Sequence, residues 1–247
     1  MSTSPLQYRY LQAMGIDCWV RRAAEHAPRG PDVAAVRIEH EDSGRPGDSI
    51  GTLDWETLRE RVERCTSCDL HRTRSQAVFG VGNRQAQWMI VGEAPGADED
   101  RQGEPFVGRA GQLLNRMLLA LGLARSEVFI ANVLKCRPPN NRNPHLDEVA
   151  HCQPYLQRQI ELVQPGVLLA VGRVAAQHLL GTQLSLSRLR GTVHQLPGGA
   201  TPLIVTYHPA YLLRSPADKP KAWADLCFAR QVLRERSAQQ SGVAETP

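Results

Sequence analysis

Three stretches of the chain carry residues that could do chemistry. The first is Val91-Gly92-Glu93-Ala94-Pro95-Gly96-Ala97-Asp98-Glu99-Asp100, followed by Pro105-Phe106-Val107-Gly108. A Gly/Pro loop of this kind brings bare backbone N–H groups close to a ligand, and it leaves Glu93, Glu99 and Phe106 to line a pocket. An ordinary strand-to-helix turn would explain Gly92 to Gly96 alone; the acidic run, the Pro-Phe-Val-Gly and a following helix, all in register, favour the pocket. The second stretch holds Asn132, and the third opens with His208-Pro209-Ala210. Taken singly, His208 reads as a satisfied strand-end residue, Asn132 as a mid-strand hydrogen-bonder and Phe106 as core. A set of cysteines completes the inventory: Cys65-x-x-Cys68, then Cys136 and Cys152. Lone cysteines are usually passive apolar residues, but a Cys-x-x-Cys with two further cysteines supplies a full ligand set for a metal. Zinc knuckles place their second pair as tightly as the first, whereas Cys136 and Cys152 stand well apart. A [4Fe–4S] cluster accepts ligands from such scattered points and is preferred over zinc. Cys18 and Cys227 fall outside this set.

The elements that must position these residues are legible from periodicity. Four short apolar runs, Gln87–Val91, Val128–Leu134, Val167–Val171 and Leu203–Tyr207, read as strands. Helical patterns at Gln112–Leu121, Leu146–Val163, Val174–Leu180 and Ala222–Arg234 alternate with or follow them. Asp54 is placed to cap a further helix, Trp55 to Arg64, that leads into Cys65. Continuously apolar strands separated by helices predict a four-stranded parallel sheet covered on both faces, an α/β three-layer sandwich. Ligands of open parallel sheets bind beyond the carboxyl ends of the strands. Glu93, Asn132 and His208 all fall at such ends, so the architecture gathers them into one cleft, and there the joint reading as a site outweighs the single ones.

Composition bounds the rest. The 247 residues carry a net charge of +4, mildly basic and compatible with phosphate contacts without requiring them. Only Lys135, Lys219 and Lys221 are lysines, the other basic residues being arginines. No apolar run approaches the roughly 20 residues that span a bilayer, and no signal-peptide pattern opens the chain. The expectation is a cytoplasmic protein, away from membranes, with reduced cysteines. Residues 1–26 have helically spaced apolar anchors, residues 27–51 are a Pro/Gly-rich linker, residues 52–236 form the folded domain, and residues 237–247 are a polar tail expected to be disordered.

With these residues in view, the chain from about Cys65 to Arg234 resembles the type-4, iron–sulfur uracil-DNA glycosylases. The resemblance rests on Gly92-Glu93-Ala94-Pro95-Gly96, Pro105-Phe106-Val107-Gly108, Asn132, the four cysteines and His208-Pro209-Ala210-Tyr211-Leu212-Leu213-Arg214. It implies that Cys65, Cys68, Cys136 and Cys152 hold a [4Fe–4S] cluster, and that Glu93, Ala94, Pro95, Phe106, Asn132 and His208 form a uracil pocket. The implied activity is hydrolysis of the N-glycosidic bond of a flipped-out uracil in single- or double-stranded DNA, with His208, Glu93 and Glu99 as catalytic candidates. Ala94 stands where the best-studied branch of the superfamily carries a water-activating Asp, which leaves the replacement open between Glu93 and Glu99. A basic, His-containing insertion that another branch uses to trap the sugar covalently is missing, so covalent trapping is not expected. Tyr211, Leu212, Leu213 and Arg214 suit a wedge that fills the gap left by the flipped nucleotide; a helix start packed on the sheet is the alternative.

The N-terminal stretch Leu11-Gln12-Ala13-Met14-Gly15-Ile16, with Trp19 and Arg22, resembles the N-terminal peptide of the psi subunit of the bacterial DNA polymerase III clamp-loader complex. The resemblance implies docking of residues 1–26 to clamp-loader subunits through Leu11, Ile16 and Trp19; an amphipathic cap folded back on the domain is the alternative. Two functions follow, a repair enzyme tethered to the replisome or a psi-like subunit whose glycosylase-like domain is an adaptor. The complete set Glu93, Phe106, Asn132 and His208 favours the enzyme.

Overall fold

The computed structural model describes residues 49–242, with side chains as far as residue 239. Residues 1–26, with Leu11, Ile16 and Trp19, and the linker as far as residue 48 lie outside the described residues. Among the described residues there are six strands: β1 (Val81–Gly82), β2 (Trp88–Gly92), β3 (Phe129–Asn132), β4 (Val167–Val171), β5 (His194–Gln195) and β6 (Pro202–Thr206). Eight α-helices accompany them: α1 (Trp55–Glu63), α2 (Ala97–Gln102), α3 (Arg109–Ala120), α4 (Leu146–Val163), α5 (Arg173–Leu180), α6 (Leu186–Leu189), α7 (Pro209–Arg214) and α8 (Lys219–Gly242).

The four apolar runs are the centre of the sheet. Its order is β1-β3-β2-β4-β6-β5, and β3, β2, β4 and β6 run parallel, with Ile90 opposite both Ile130 and Leu169, and Ala170 opposite Val205. Every residue of these four strands is buried, because helices cover both faces. Met89 and Val91 pack with Leu156 of α4 and Ala175 and Ala176 of α5. Trp88 and Ile90 point the other way, onto Leu114 and Leu118 of α3 and Leu226 and Ala229 of α8. The three-layer sandwich is therefore present, but its sheet is a mixed one. Two-residue strands β1 and β5 add antiparallel to β3 and β6. Such short segments carry no periodicity to read, yet they cover the hydrogen-bonding edges of the parallel core. Asp54 caps α1 as expected, accepting from Thr57 N at 2.8 Å. The polar end of the chain departs from expectation: α8 continues through Ser237 to Gly242, since beyond Pro220 in its first turn no Gly or Pro precedes Gly242.

The carboxyl end of β6 is anchored by a buried polar group. Asp225 of α8 takes Arg190 Nε and Nη2 at 2.6 and 2.9 Å and the Thr206 hydroxyl at 2.8 Å. Arg190 also lies over the Tyr207 ring, 4.4 Å from its centroid, and Tyr207 stacks on Tyr211 at 5.2 Å. Asp225 and Arg190 keep only 4% and 15% of their side-chain surface exposed. Removing one partner of such a pair leaves the other charge buried without its counter-ion. Asp225→Ala is expected to destabilise the domain by about 3 kcal/mol, the lower end of the usual range because Arg190 keeps some water; chemical denaturation checks it.

Candidate functional site

The loop after β2 is built by its own carboxylates. Glu99, in the first turn of α2, accepts from Gly96 N at 3.1 Å through one oxygen and from Val107 N and Gly108 N at 3.0 and 3.1 Å through the other. Asp100 is buried and accepts from Ser75 N with both oxygens, at 2.9 and 3.0 Å. Chain direction after the strands is fixed as well, because Gly92 O and Glu93 O accept from Val133 N and Leu134 N. The acidic run is thus mainly a brace. Glu99, one of the two carboxylates expected to orient water, commits its oxygens to three backbone donors.

Phe106 occupies the left-handed region at φ 54°, which is costly for an aromatic residue and persists only where surroundings over-determine it. Three contacts do so. Glu99 holds the next two amides, Arg125 Nη2 and Nη1 donate to Pro105 O at 2.5 Å and Phe106 O at 3.4 Å, and Gly111 of α3 passes so close that a Cβ there would lie 1.7 Å from Phe106 O. Arg125 also donates to Asn115 Oδ1 at 3.1 Å. Sequence reasoning did not single out Arg125 or Gly111, whose surroundings read as an ordinary loop and an ordinary helix turn.

Of the expected site residues, Asn132, Phe106 and His208 lie near one another, and Glu93 follows directly on Gly92. Gly92 and Asn132 are register partners at the ends of β2 and β3. A Cβ on Gly92 would meet Asn132 Oδ1 at 2.4 Å and Phe106 Cζ at 2.7 Å, so one missing side chain leaves space for both groups. The rings of Phe106 and His208 are 5.6 Å apart, inclined by 30°. Gly172, after β4, gives His208 the same clearance: a Cβ there would meet His208 Cβ at 3.0 Å. Pro95 is buried, and Ala94 packs on the core.

Electrostatics assign each group a state. Asn132 is 2% exposed, and its Oδ1 is buried without a hydrogen-bond partner. A buried polar atom in that condition is costly and calls for an occupant. His208 caps α7 by accepting Ala210 N on Nδ1 at 3.1 Å, which places its proton on Nε2. Burial, reinforced by Arg214 and opposed by Glu99, pushes the imidazole down to about 4, so it is a neutral donor at pH 7. Glu93 is raised above the ordinary carboxylate value by burial, with Arg173 opposing. The arrangement can stack a flat ring on Phe106, read a ring edge through Asn132 and donate to an oxygen through His208.

Within the expected wedge, Leu212 is 1% exposed and belongs to the core; Tyr211 is tied to Asp218 Oδ2 at 2.6 Å through its hydroxyl. For Leu212 the alternative of a packed helix start describes its place, because α7 turns one face of the stretch inward. Leu213, 37% exposed, and Arg214 remain at the surface.

Cys65, Cys68, Cys136 and Cys152 line a single cavity together with His71, Arg74, Lys135, His151 and Tyr155. Arg74 Nη1 donates to Cys136 Sγ at 2.9 Å and its Nη2 to Glu63 O at 2.8 Å. Among the described residues no three His, Cys, Asp or Glu side chains are grouped to hold a single metal ion. As free thiols, Cys152 is pushed up to about 12 by burial, and burial raises Cys68 and Cys136 too. For Cys65 burial is outweighed by hydrogen bonds with Ser67 and Tyr155 and by Arg74, leaving it below the ordinary thiol value. Burial likewise pushes Lys135 down to about 7, against the pull of the neighbouring cysteines.

The fold is an α/β sheet covered on both faces, with Asn132, Phe106 and His208 gathered at the carboxyl ends of its parallel strands, where open parallel sheets bind their ligands. Residues 79–227 match the sequence profile of the uracil DNA glycosylase superfamily. Three similar proteins, each named a type-4 uracil-DNA glycosylase, come from Archaeoglobus fulgidus, Pyrobaculum aerophilum and Thermotoga maritima. The first is 49% identical over 161 residues, 63% of this chain and 81% of the relative. The second is 45% identical over 182 residues, covering 71% and 93%. The third is 45% identical over 161 residues, covering 65% and 83%. The chain belongs to the uracil DNA glycosylase superfamily.

Proposed function

We infer that this protein is a uracil-DNA glycosylase of DNA repair, cleaving the bond between a flipped-out uracil and its deoxyribose. The observation that carries the reading is the buried, unpartnered Oδ1 of Asn132 beside Phe106, whose ring lies in turn 5.6 Å from that of His208. Uracil offers the missing donor at N3–H and an acceptor at O4 for the amide nitrogen. Cytosine presents an acceptor at N3 and a donor at C4, which would leave Oδ1 facing another lone pair in a buried site. The base must leave the stack to get there, and Phe106 replaces one lost stacking partner.

As the glycosidic bond lengthens, its electron pair moves into the pyrimidine and charge collects on O2. The Nε2–H of neutral His208 donates to that oxygen, and loop N–H groups add to the field, so the base departs as a stabilised anion. Positive charge develops on the sugar at the same time. Glu93, whose carboxylate is not committed to backbone donors as that of Glu99 is, orients the water that adds to the anomeric carbon and takes its proton.

The acid limb of kcat/KM then belongs to Glu93 rather than to His208. Expected is a plateau that continues below the ordinary histidine value, followed by a fall as Glu93 protonates above the usual carboxylate range. That limb disappears in Glu93→Gln. A limb near 6.5 that survives the substitution contradicts the assignment. Release of uracil from single- and double-stranded oligonucleotides tests the function itself, and wild-type release no greater than that of His208→Ala rejects it.

The cysteine cavity suits a [4Fe–4S] cluster. Four cysteines line it, burial opposes isolated thiolates at Cys68, Cys136 and Cys152, and ligation by iron supplies the compensating positive charge. Cys65, Cys68, Cys136 and Cys152 are the proposed ligands, and the cluster would tie α1 and its following loop to the β3–α4 connection. Iron and sulfide content with visible absorbance, lost in Cys136→Ser, is the check. Leu213 and Arg214 are the proposed surface part of a wedge. Docking of residues 1–26 to clamp-loader subunits rests on the sequence resemblance alone, as the profile match starts at residue 79. A pull-down with and without these residues decides it, equal recovery removing the proposed role and the psi-like alternative with it.

A further inference from the structure

We propose, building on that function, that Lys135 is a positioning residue that ties the cysteine cavity to the amide that reads uracil. Its side chain is buried, and Lys135 is among the residues that line the cavity holding all four cysteines. Its ammonium nitrogen donates to the backbone oxygen of Asn132 at 2.9 Å and to Gln159 Oε1 at 2.6 Å. Gln159 is itself fixed, since it is fully buried and its Nε2 donates to Phe79 O at 2.9 Å. Both acceptors of the ammonium are neutral oxygens, an expensive arrangement for a buried cation unless an anionic group is near. Thiolates ligated to a cluster in the shared cavity are that group.

The consequence reaches the uracil site through three residues of chain. Asn132 ends β3, and from there the next two amides, Val133 N and Leu134 N, bind Gly92 O and Glu93 O at 2.9 and 3.0 Å. These bonds hold the peptide on the side of β2, and Lys135 holds the Asn132 carbonyl from the side of the cavity. A strand end pinned from two directions keeps the Asn132 side chain aimed at the space that Gly92 leaves open. Loosening it weakens the reading of the base equally in ground and transition states, which appears in KM rather than kcat.

The test uses the cluster-loaded wild type, Lys135→Met and Lys135→Arg, each confirmed folded by circular dichroism and measured below its melting transition. In Lys135→Met, KM for uracil-containing DNA is expected to rise about tenfold, as loss of one charge-assisted hydrogen bond implies, with kcat changed less than about threefold. Hydrogen exchange at residues 132–134 should accelerate, and the reduction potential of the cluster should move negative. Lys135→Arg keeps the charge but not the bond geometry, so it should restore the potential and leave KM raised. A wild-type KM with wild-type exchange in Lys135→Met overturns the proposal, even if its melting temperature falls, because Lys135 would then be structural only. If Lys135→Met does not fold, Lys135→Arg decides: a raised KM supports the tie and a wild-type KM ends it. A wild-type protein that releases no uracil refutes the function instead, and exchange and potential then judge the tie alone.

Discussion

Gly92→Ala is expected to abolish uracil release, lowering single-turnover cleavage by more than about a thousandfold. The cause is steric. The added methyl would sit 2.4 Å from Asn132 Oδ1 and 2.7 and 2.8 Å from Phe106 Cζ and Cε2. Neither neighbour can yield, for Asn132 is the end of a central strand and Phe106 is held in a left-handed conformation by Glu99, Arg125 and Gly111. Gly92 has no unusual backbone angle to preserve, so conformational freedom plays no part. Overpacking of this kind costs about 1–3 kcal/mol of stability, and the protein should still fold. Gly51→Ala, at a position with nothing within 4 Å, is the matched control and should cleave at the wild-type rate. Quenched-flow cleavage of a uracil-containing oligonucleotide and a thermal melt on both variants separate loss of the pocket from loss of the fold.

How far the site could be read from sequence depends on what kind of signal each residue leaves. Residues at the ends of apolar strands announce themselves, since the strand is periodic and the interruption is polar; Glu93, Asn132 and His208 stand out as candidates for that reason. The cysteines were legible by type and spacing. Arg125 was not, because an arginine in Ala124-Arg125-Ser126-Glu127 has the composition of any surface turn, and only coordinates reveal that its guanidinium reaches back to Pro105 and Phe106. Glu99 carries the opposite lesson. A carboxylate in an acidic run beside a Gly/Pro loop looks available for chemistry, and whether it meets water or backbone amides is settled by loop closure over Val107 and Gly108, which no local pattern encodes. The fold follows the same division: the four central strands were visible as apolar runs, while β1 and β5, two residues each, exist only by pairing with a strand already formed. At Leu212 the sequence leaves a wedge and a packed helix start both open, and the helix that follows His208 buries it.

His208→Ala is expected to lower kcat by about 10²–10³ while leaving KM near the wild-type value. The asymmetry follows from where charge appears. Uracil O2 is a neutral carbonyl oxygen in the bound substrate and carries the departing electron pair only as the bond breaks, so a donor aimed at it acts chiefly on the transition state. A neutral imidazole suffices, because the proton on Nε2 is fixed by the bond from Ala210 N to Nδ1. That same bond makes the alanine variant ambiguous, since it removes the cap of α7 as well as the donor. Loss of a cap costs about 1 kcal/mol and could displace Tyr211 and its partner Asp218. His208→Asn resolves the two effects: asparagine is a good cap, yet its short amide cannot reach as far as Nε2. Its melting temperature should match the wild type while its kcat falls with that of His208→Ala. If His208→Asn instead cleaves at the wild-type rate, the histidine serves the helix alone, and the charge on the departing base must be met by the loop N–H groups around Glu93.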